Sequence, residues 1–376
     1  MAQVNVTITL RDADDNIVPL QRNFVEHIAF GVPIGLYITD DQGRIRDKDG
    51  NLGISNLTND LDIRVLLQNA VAKHQDLLSW KDWHVSDGDT KRLTVNATAH
   101  INKFRALNHC VKVYDTVFRQ FEVFSANSRG DFPLGSGGTL DNKKNRSERI
   151  ELDFPTGFPF AQLSFPEPKS VFTGFPILHI KDDDGRLFGT NRQRRTLIAS
   201  ELAHALHFSF LTSANREDIQ NRYLGWLVGQ VVMGDNATHD LGIETIPLVA
   251  FLESLDHFSS RFFRFFLDHP NDAIDTTFRN NFILSELSSG TFCNFTGDLH
   301  TGTVTRPKFT GTSVEGAVYS AIFLDFARRP GVGLKTAVNA FFRSKALTFG
   351  EYKSWIINNK PDLKSAINAV SRTWGL

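Results

Sequence analysis

Hydrophobic and polar residues alternate strictly near the start of the chain. In residues 4–10, Val4, Val6, Ile8 and Leu10 share one side, which is the period of two that a half-buried β-strand shows. Short strands are also predicted at residues 34–39 and 62–68, with turns at residues 41–43 and 47–51 where acidic residues and glycine cluster. Residues 1–90 therefore predict a small β-sandwich-like domain.

The hydrophobic period changes to three and four residues beyond about residue 95. Ile101, Phe104, Leu107, Val111 and Tyr114 are spaced as on one face of an amphipathic helix. Short strands are then predicted at residues 150–154, 161–165 and 175–180. Further helices are predicted at residues 216–233, 246–268, 278–287, 313–328, 332–345, 349–358 and 362–374. The expected fold class is α+β, with residues 91–376 as a second, mostly helical domain.

A short motif in the segment TLIASELAHALHFSFL, residues 196–211, indicates the chemistry. Ser200, Glu201 and His204 stand where a zinc-binding HExxH helix would have its first histidine, its glutamate and its second histidine. In HExxH the two imidazoles lie on one helical face and bind one metal ion, and the glutamate acts as general base on the metal-bound water. A serine hydroxyl is a poor zinc ligand beside imidazole, so the motif indicates a metallopeptidase architecture with an impaired metal site.

The region from about residue 95 to the C-terminus resembles the gluzincin branch of the zincin metallopeptidases, with its thermolysin-like and fungalysin-like members. The resemblance rests on the first helix with His100, the segment PILHIKDDDGRLFG, the helix IASELAHALHF and a later helix opening SVEGA. It implies zinc as cofactor, Glu201 as general base, His204 as second histidine ligand and Glu315 as third ligand. Ser200 stands in the first ligand's place, and Glu315 follows His204 at a longer distance than in thermolysin-like chains.

Two functions follow as hypotheses. The first is a zinc metallopeptidase-like protein that is inactive or impaired because of Ser200, with peptides or proteins as substrates and with zinc bound weakly or not at all. The serine is then either natural or introduced to silence the enzyme. The second is a non-catalytic protein that holds a partner in the zincin cleft or on its β-domain. Delivery as a secreted toxin or effector is a weaker third option.

Several candidate residues have alternatives. His207 is a candidate to replace Ser200 as a ligand, and His300 and Tyr319 are candidates for oxyanion stabilisation, although structural roles are the commoner explanation for both. Glu315 also completes a capping box with Thr312 at a helix start. The remaining alternatives are a third ligand from Glu253 or Asp256, a di-iron ExxH motif at Glu201 and His204, a helical surface role for the histidines, and a calcium site at residues 47–51 instead of a hairpin turn.

Charge and composition exclude some classes of partner. The chain has 376 residues, and its 41 Lys and Arg nearly cancel its 42 Asp and Glu, so no strong field attracts nucleic acid or an anionic membrane. No secretory signal and no membrane span is predicted, so a cytoplasmic protein or one exported by a signal-independent route is expected. Cys110 and Cys293 are too few for a zinc ribbon but leave one disulfide open.

Overall fold

A computed structural model describes the chain in ranges separated by gaps. These are residues 2–12, 15–56, 60–74, 81–86, 91–95, 101–115, 121, 150–153, 162–164, 177–179, 202, 207, 211, 214–215, 218, 297–298, 303–304 and 317–374. The fold is α+β, with an N-terminal β-sheet region and a helical C-terminal region. Two compact units are present, one formed by Met1–Gln120 with Phe124–Ala205 and the other by Phe121–Val123 with Leu206–Leu376. The predicted domain boundary at residues 90 and 91 stays a prediction.

The first unit contains fourteen described strands and one described helix. The strands are β1 Ala2–Val4, β2 Val6–Arg11, β3 Ile17–Pro19, β4 Asn23–Ala29, β5 Val32–Thr39, β6 Ile45–Arg46, β7 Ile54–Asn56, β8 Asp60–Asn69, β9 Ala72–His74, β10 Lys81–Ser86, β11 Lys91–Val95, β12 Ile150–Asp153, β13 Gln162–Ser164 and β14 Ile177–His179. The helix is α1, Ile101–Val113.

The larger sheet of this unit has the strand order β13-β14-β12-β9-β8-β4-β5-β6. Its centre is antiparallel, with β4 between β8 and β5, and β10 pairs with the first half of β8. Strand β12 is parallel to both β9 and β14. Buried Val25, Ile63 and Val65 on neighbouring strands line one side of this sheet.

A smaller sheet places β2 between β3 and β11. Strand β11 runs parallel to β2, so the chain returns to its own N-terminus more than eighty residues later. Val6, Ile8 and Leu10 are buried, as their alternation predicts, but Thr9 is also only 5% exposed. Its hydroxyl is satisfied because it donates to the Leu93 carbonyl at 3.2 Å and lies 2.8 Å from the Thr94 hydroxyl.

Helix α1 packs on the sheets through an apolar face, on which Phe104, Leu107 and Val111 are fully buried. Polar side chains fix its position. The Asn69 amide donates to the Leu107 carbonyl at 2.6 Å, and its oxygen accepts from the backbone amides of residues 71 and 72. The Arg105 guanidinium donates to the carbonyls of residues 11 and 12. The helix is therefore attached to both sheets by buried or partly buried hydrogen bonds as well as by apolar contacts.

The second unit contains a two-stranded hairpin and four described helices. The hairpin consists of β15 Gly297–Asp298 and β16 Thr303–Val304. The helices are α2 Ala317–Arg328, α3 Gly333–Ser344, α4 Phe349–Asn359 and α5 Lys364–Trp374, with a single 3-10 turn, Pro361–Leu363, before α5. Pro330 lies between α2 and α3, and Pro361 lies at the first position of the 3-10 turn, where its missing N–H costs little.

Most predicted elements that fall on described residues are confirmed. The strands predicted at residues 34–39 and 62–68, the helix around residue 107 and the last three helices all lie within a few residues of their observed bounds. The strand predicted at residues 4–10 is observed as β2 from Val6 onward, whereas Val4 ends β1, which pairs with β7 while β2 pairs with β3 and β11. The helices predicted at residues 246–268 and 278–287 lie outside the described residues, and of the one predicted at residues 216–233 only residue 218 is described, as helical.

Candidate functional site

The central residues of the predicted zinc site lie outside the described part of the chain. Ser200, Glu201, His204, His300 and Glu315 belong to this group, as do the alternative ligands Glu253 and Asp256 and the capping residue Thr312. Their roles stay predictions. Two predicted site residues can be located: Tyr319 lies in the first turn of α2, and His207 is a helical residue of the second unit.

His207 is 1% exposed and lies among aromatic rings. The centroid of its ring is 4.7 Å from that of Phe341 and 6.1 Å from that of Phe342, both in α3. Ring pairs at these separations add to the apolar stabilisation of a core. This environment supports a core position for His207 and gives no support to its alternative role as a metal ligand in place of Ser200.

The cluster around His207 continues through α2, α3 and α4. Phe323 contacts both Phe341 and Tyr352 edge to face, with centroid separations of 5.1 Å in each pair. The Tyr352 hydroxyl donates to the Ala337 carbonyl at 3.1 Å, and burial raises the pKa of Tyr352 well above its ordinary value. The tyrosine is therefore a neutral core residue and not a proton donor for chemistry.

Asp325 is a fully buried carboxylate near the end of α2. It accepts a hydrogen bond from Arg328 Nε at 2.7 Å and another from Arg329 at 3.0 Å. Two cations one turn away compensate the cost of burying its charge. The arrangement explains Asp325 as a structural residue that closes the end of the helix.

The alternative of a calcium site at residues 47–51 has little support, because the Asp47 carboxylate is engaged in hydrogen bonds within the turn. One Asp47 oxygen accepts from the backbone amides of Asp49 and Asn51 at 2.9 and 2.8 Å, and the other accepts from the Asn51 side chain at 3.1 Å. Partial burial alone would raise the pKa of Asp47, but these hydrogen bonds and one from the Gly50 amide hold that pKa below its ordinary value. The predicted hairpin turn at residues 47–51 is confirmed.

The same turn occurs three times among the described residues of the first unit. The turns begin at Asp12, Asp40 and Asp47. In each, the backbone amide of the aspartate donates to the carbonyl four positions later, and its carboxylate accepts from the backbone amide of that same later residue. The fourth residue has positive φ each time, in Asp15, Gly43 and Gly50. The shared pattern Asp-x-x-(Gly or Asp)-(Asn or Arg), followed by Ile or Leu, was a signal that could have been found.

Cys110 carries a free thiol that is fully buried in α1. Burial raises its pKa to about 12, so it stays protonated at neutral pH and is a poor nucleophile or metal ligand. Cys293 lies outside the described residues.

Within the described ranges, no three histidine, cysteine, aspartate or glutamate side chains come together as a metal site. No helix in the same ranges is long and apolar enough to cross a membrane. Comparison of the chain with protein-family models, curated proteins and solved structures finds no match.

Proposed function

We propose that the chain is a zincin-derived, metallopeptidase-like protein whose zinc site is impaired, with peptides or proteins as its ligands. Its finer architecture would be a β-sandwich-like N-terminal domain followed by a zincin-like helical domain. The observation that carries the proposal is the motif of Ser200, Glu201 and His204. The order of the described elements supports it: α1 and the strands β12 to β14 precede the motif, and α2 begins two residues after Glu315.

The donor set of this site does not fit a three-ligand catalytic zinc centre. His204 and Glu315 would supply one imidazole and one carboxylate, and the third position has the hydroxyl of Ser200. Catalytic zinc needs three strong protein ligands and an open position for water. His207 is buried against Phe341, which gives no support to its serving as the missing ligand. We therefore assign no hydrolytic step to the protein as it stands.

The test restores the missing imidazole. After chelation and dialysis against zinc, Ser200→His is expected to retain about one zinc ion per chain, because three ligands are then available, and to cleave a generic peptide substrate. The unchanged protein and Ser200→Ala should retain far less zinc and show little or no cleavage. In the Ser200→His background, Glu201→Gln should keep the metal and lose the cleavage, since only the general base is removed.

Each result separates the hypotheses. Zinc bound with cleavage supports the metallopeptidase origin, and a variant that gains neither zinc nor cleavage contradicts it. The second candidate function is a binding protein that holds a peptide or protein partner without catalysis. It is favoured by the substitution at Ser200 itself, and it predicts that the unchanged protein binds peptide equally well with and without a chelator, as measured by calorimetry.

A further inference from the structure

Strands β4 and β5 form a hairpin whose end carries little buried surface. Its two-residue turn is Phe30-Gly31, and both residues have positive φ, 53° and 76°, as a tight hairpin turn requires. Phe30 is 98% exposed, and Val32 and Ile34 are 59% and 60% exposed. Ile28 is the one buried residue of residues 28–34. Segments with so few buried contacts open at low free-energy cost.

His27 lies at the base of this hairpin end and is only 4% exposed. It lies opposite Gly35 in β5 and Ile63 in β8, and its ring centroid is 6.5 Å from that of Tyr37. The strand register shifts between His27 and Ile28. Such a bulge weakens the hydrogen-bonded ladder locally, so the histidine sits where the hairpin end can separate from the rest of the sheet.

The charged and titratable groups near His27 can be named for its own strand and for both flanking strands, among the described residues. On β4, Glu26 lies 3.7 Å from Arg64 of β8. On β5, burial raises the pKa of Tyr37, so that ring stays neutral in mild acid. On β8, Asp62 favours the protonated imidazole, but burial has the larger effect and lowers the pKa of His27 below its ordinary value of 6.5.

We propose that His27 is an acid-sensitive latch that holds the end of the β4–β5 hairpin closed while its imidazole is neutral. The closed form excludes the imidazolium from water, whereas the opened form solvates it at its ordinary pKa. The stabilisation of the closed form by neutral His27 is therefore complete above pH ~6.5, and it is lost as the pH falls toward the pKa of His27 in the closed form. Over that interval the opened population rises by up to about tenfold per pH unit. Opening frees the segment that carries Phe30, Val32 and Ile34.

Hydrogen exchange read by mass spectrometry tests the latch in the full chain. Peptides covering residues 24–38 are compared at pH 7.5 and pH 5.5, after correction for the intrinsic exchange rates. In the unchanged protein, the protection factors of this segment should be up to about tenfold lower at pH 5.5 than at pH 7.5. In His27→Gln, the protection factors should show no such pH dependence. His74→Gln removes another buried histidine, in β9, and should leave the loss at residues 24–38 intact.

A second variant keeps the test decisive if His27→Gln fails to fold. Asp62→Asn removes the carboxylate that favours the imidazolium, so the pKa of His27 in the closed form falls further. The loss of protection at pH 5.5, relative to pH 7.5, should then be larger than in the unchanged protein. Equal losses in the unchanged protein and His27→Gln, no loss in the unchanged protein, or a smaller loss in Asp62→Asn would each overturn the proposal.

Discussion

Gly43 lies where the chain has no room for a side chain. Its φ is 76°, and a Cβ atom built on it would come 2.2 Å from the carbonyl oxygen of Ile8. The close approach is part of the fold, because the Ile8 amide donates to the Gly43 carbonyl at 2.8 Å. Gly43→Ala should therefore destabilise the first unit by about 3 kcal/mol, through positive-φ strain together with a backbone collision.

Gly50 provides the matched control for this substitution. It occupies the same position in the next turn, with φ 83°, but a Cβ atom there would have nothing within 4 Å. Gly50→Ala should cost about 1 kcal/mol, which is the conformational cost alone. Urea unfolding followed by circular dichroism compares the two, and equal losses would show that Gly43 does not approach Ile8 as described.

Single residues also show where reading the sequence succeeds and where it fails. Alternation predicts the burial of Val6, Ile8 and Leu10 correctly, because one face of a strand meets the core. The same alternation places Thr9 in water, yet Thr9 is buried because residues 93 and 94 satisfy its hydroxyl. Thr94 is 85 positions away from Thr9 in the chain, and no local pattern indicates that the two hydroxyls meet.

At the scale of elements, the start of α4 has a variant of the capping box, in which the glutamate accepts from the amide of the residue before the N-cap and not from the N-cap amide. The Thr348 hydroxyl accepts from the Glu351 amide at 3.3 Å, and the Glu351 carboxylate accepts from the Leu347 amide at 2.7 Å. The spacing Thr-x-x-Glu before an apolar run is a local signal for a helix start. The predicted bounds, residues 349–358, agree with the observed helix to within one residue at its end.

The cap predicts a measurable loss of stability. Thr348→Ala removes the hydroxyl acceptor and should lower the free energy of unfolding of the helical unit by about 1 kcal/mol. Thr348→Ser keeps the acceptor and should recover most of that loss. Thermal unfolding followed by circular dichroism measures both variants, and an alanine variant as stable as the serine variant would mean that the cap contributes nothing.

The order in which the strands pair cannot be predicted from the sequence, for a physical reason. In the central antiparallel order β8-β4-β5, strand β4 pairs with β5, which follows it in the chain, and also with β8, which lies much further along the chain. Strand β11 pairs in parallel with β2 from more than eighty residues away. Turn chemistry determines only the local hairpins, such as the one between β5 and β6. Long-range partners are selected by the fit of whole sheet faces, which hydrophobic periodicity does not encode.

For the whole molecule, the effect of metal on stability is the remaining consequence of the proposed zinc site. A ligand that binds only the folded state stabilises it by RT ln(1 + [L]/Kd), about 2.7 kcal/mol when the ligand is at 100 times its Kd. Because the unchanged chain would have only one imidazole and one carboxylate at the site, zinc and chelator should leave its thermal unfolding unchanged. Ser200→His should gain several degrees with zinc and lose them with chelator, whatever its activity toward peptides.

This measurement also distinguishes the proposed site from adventitious zinc binding, because the chain has 12 histidines. A stabilisation that depends on the intended ligands should disappear when His204→Ala is added to Ser200→His, and it should persist when His207→Phe is added, since His207 packs among aromatic rings. Persistence without His204 would place the zinc elsewhere and remove the support for a zincin site. Loss with His207→Phe alone, in a variant that still folds, would make His207 a ligand and require a different arrangement of the metal around the motif.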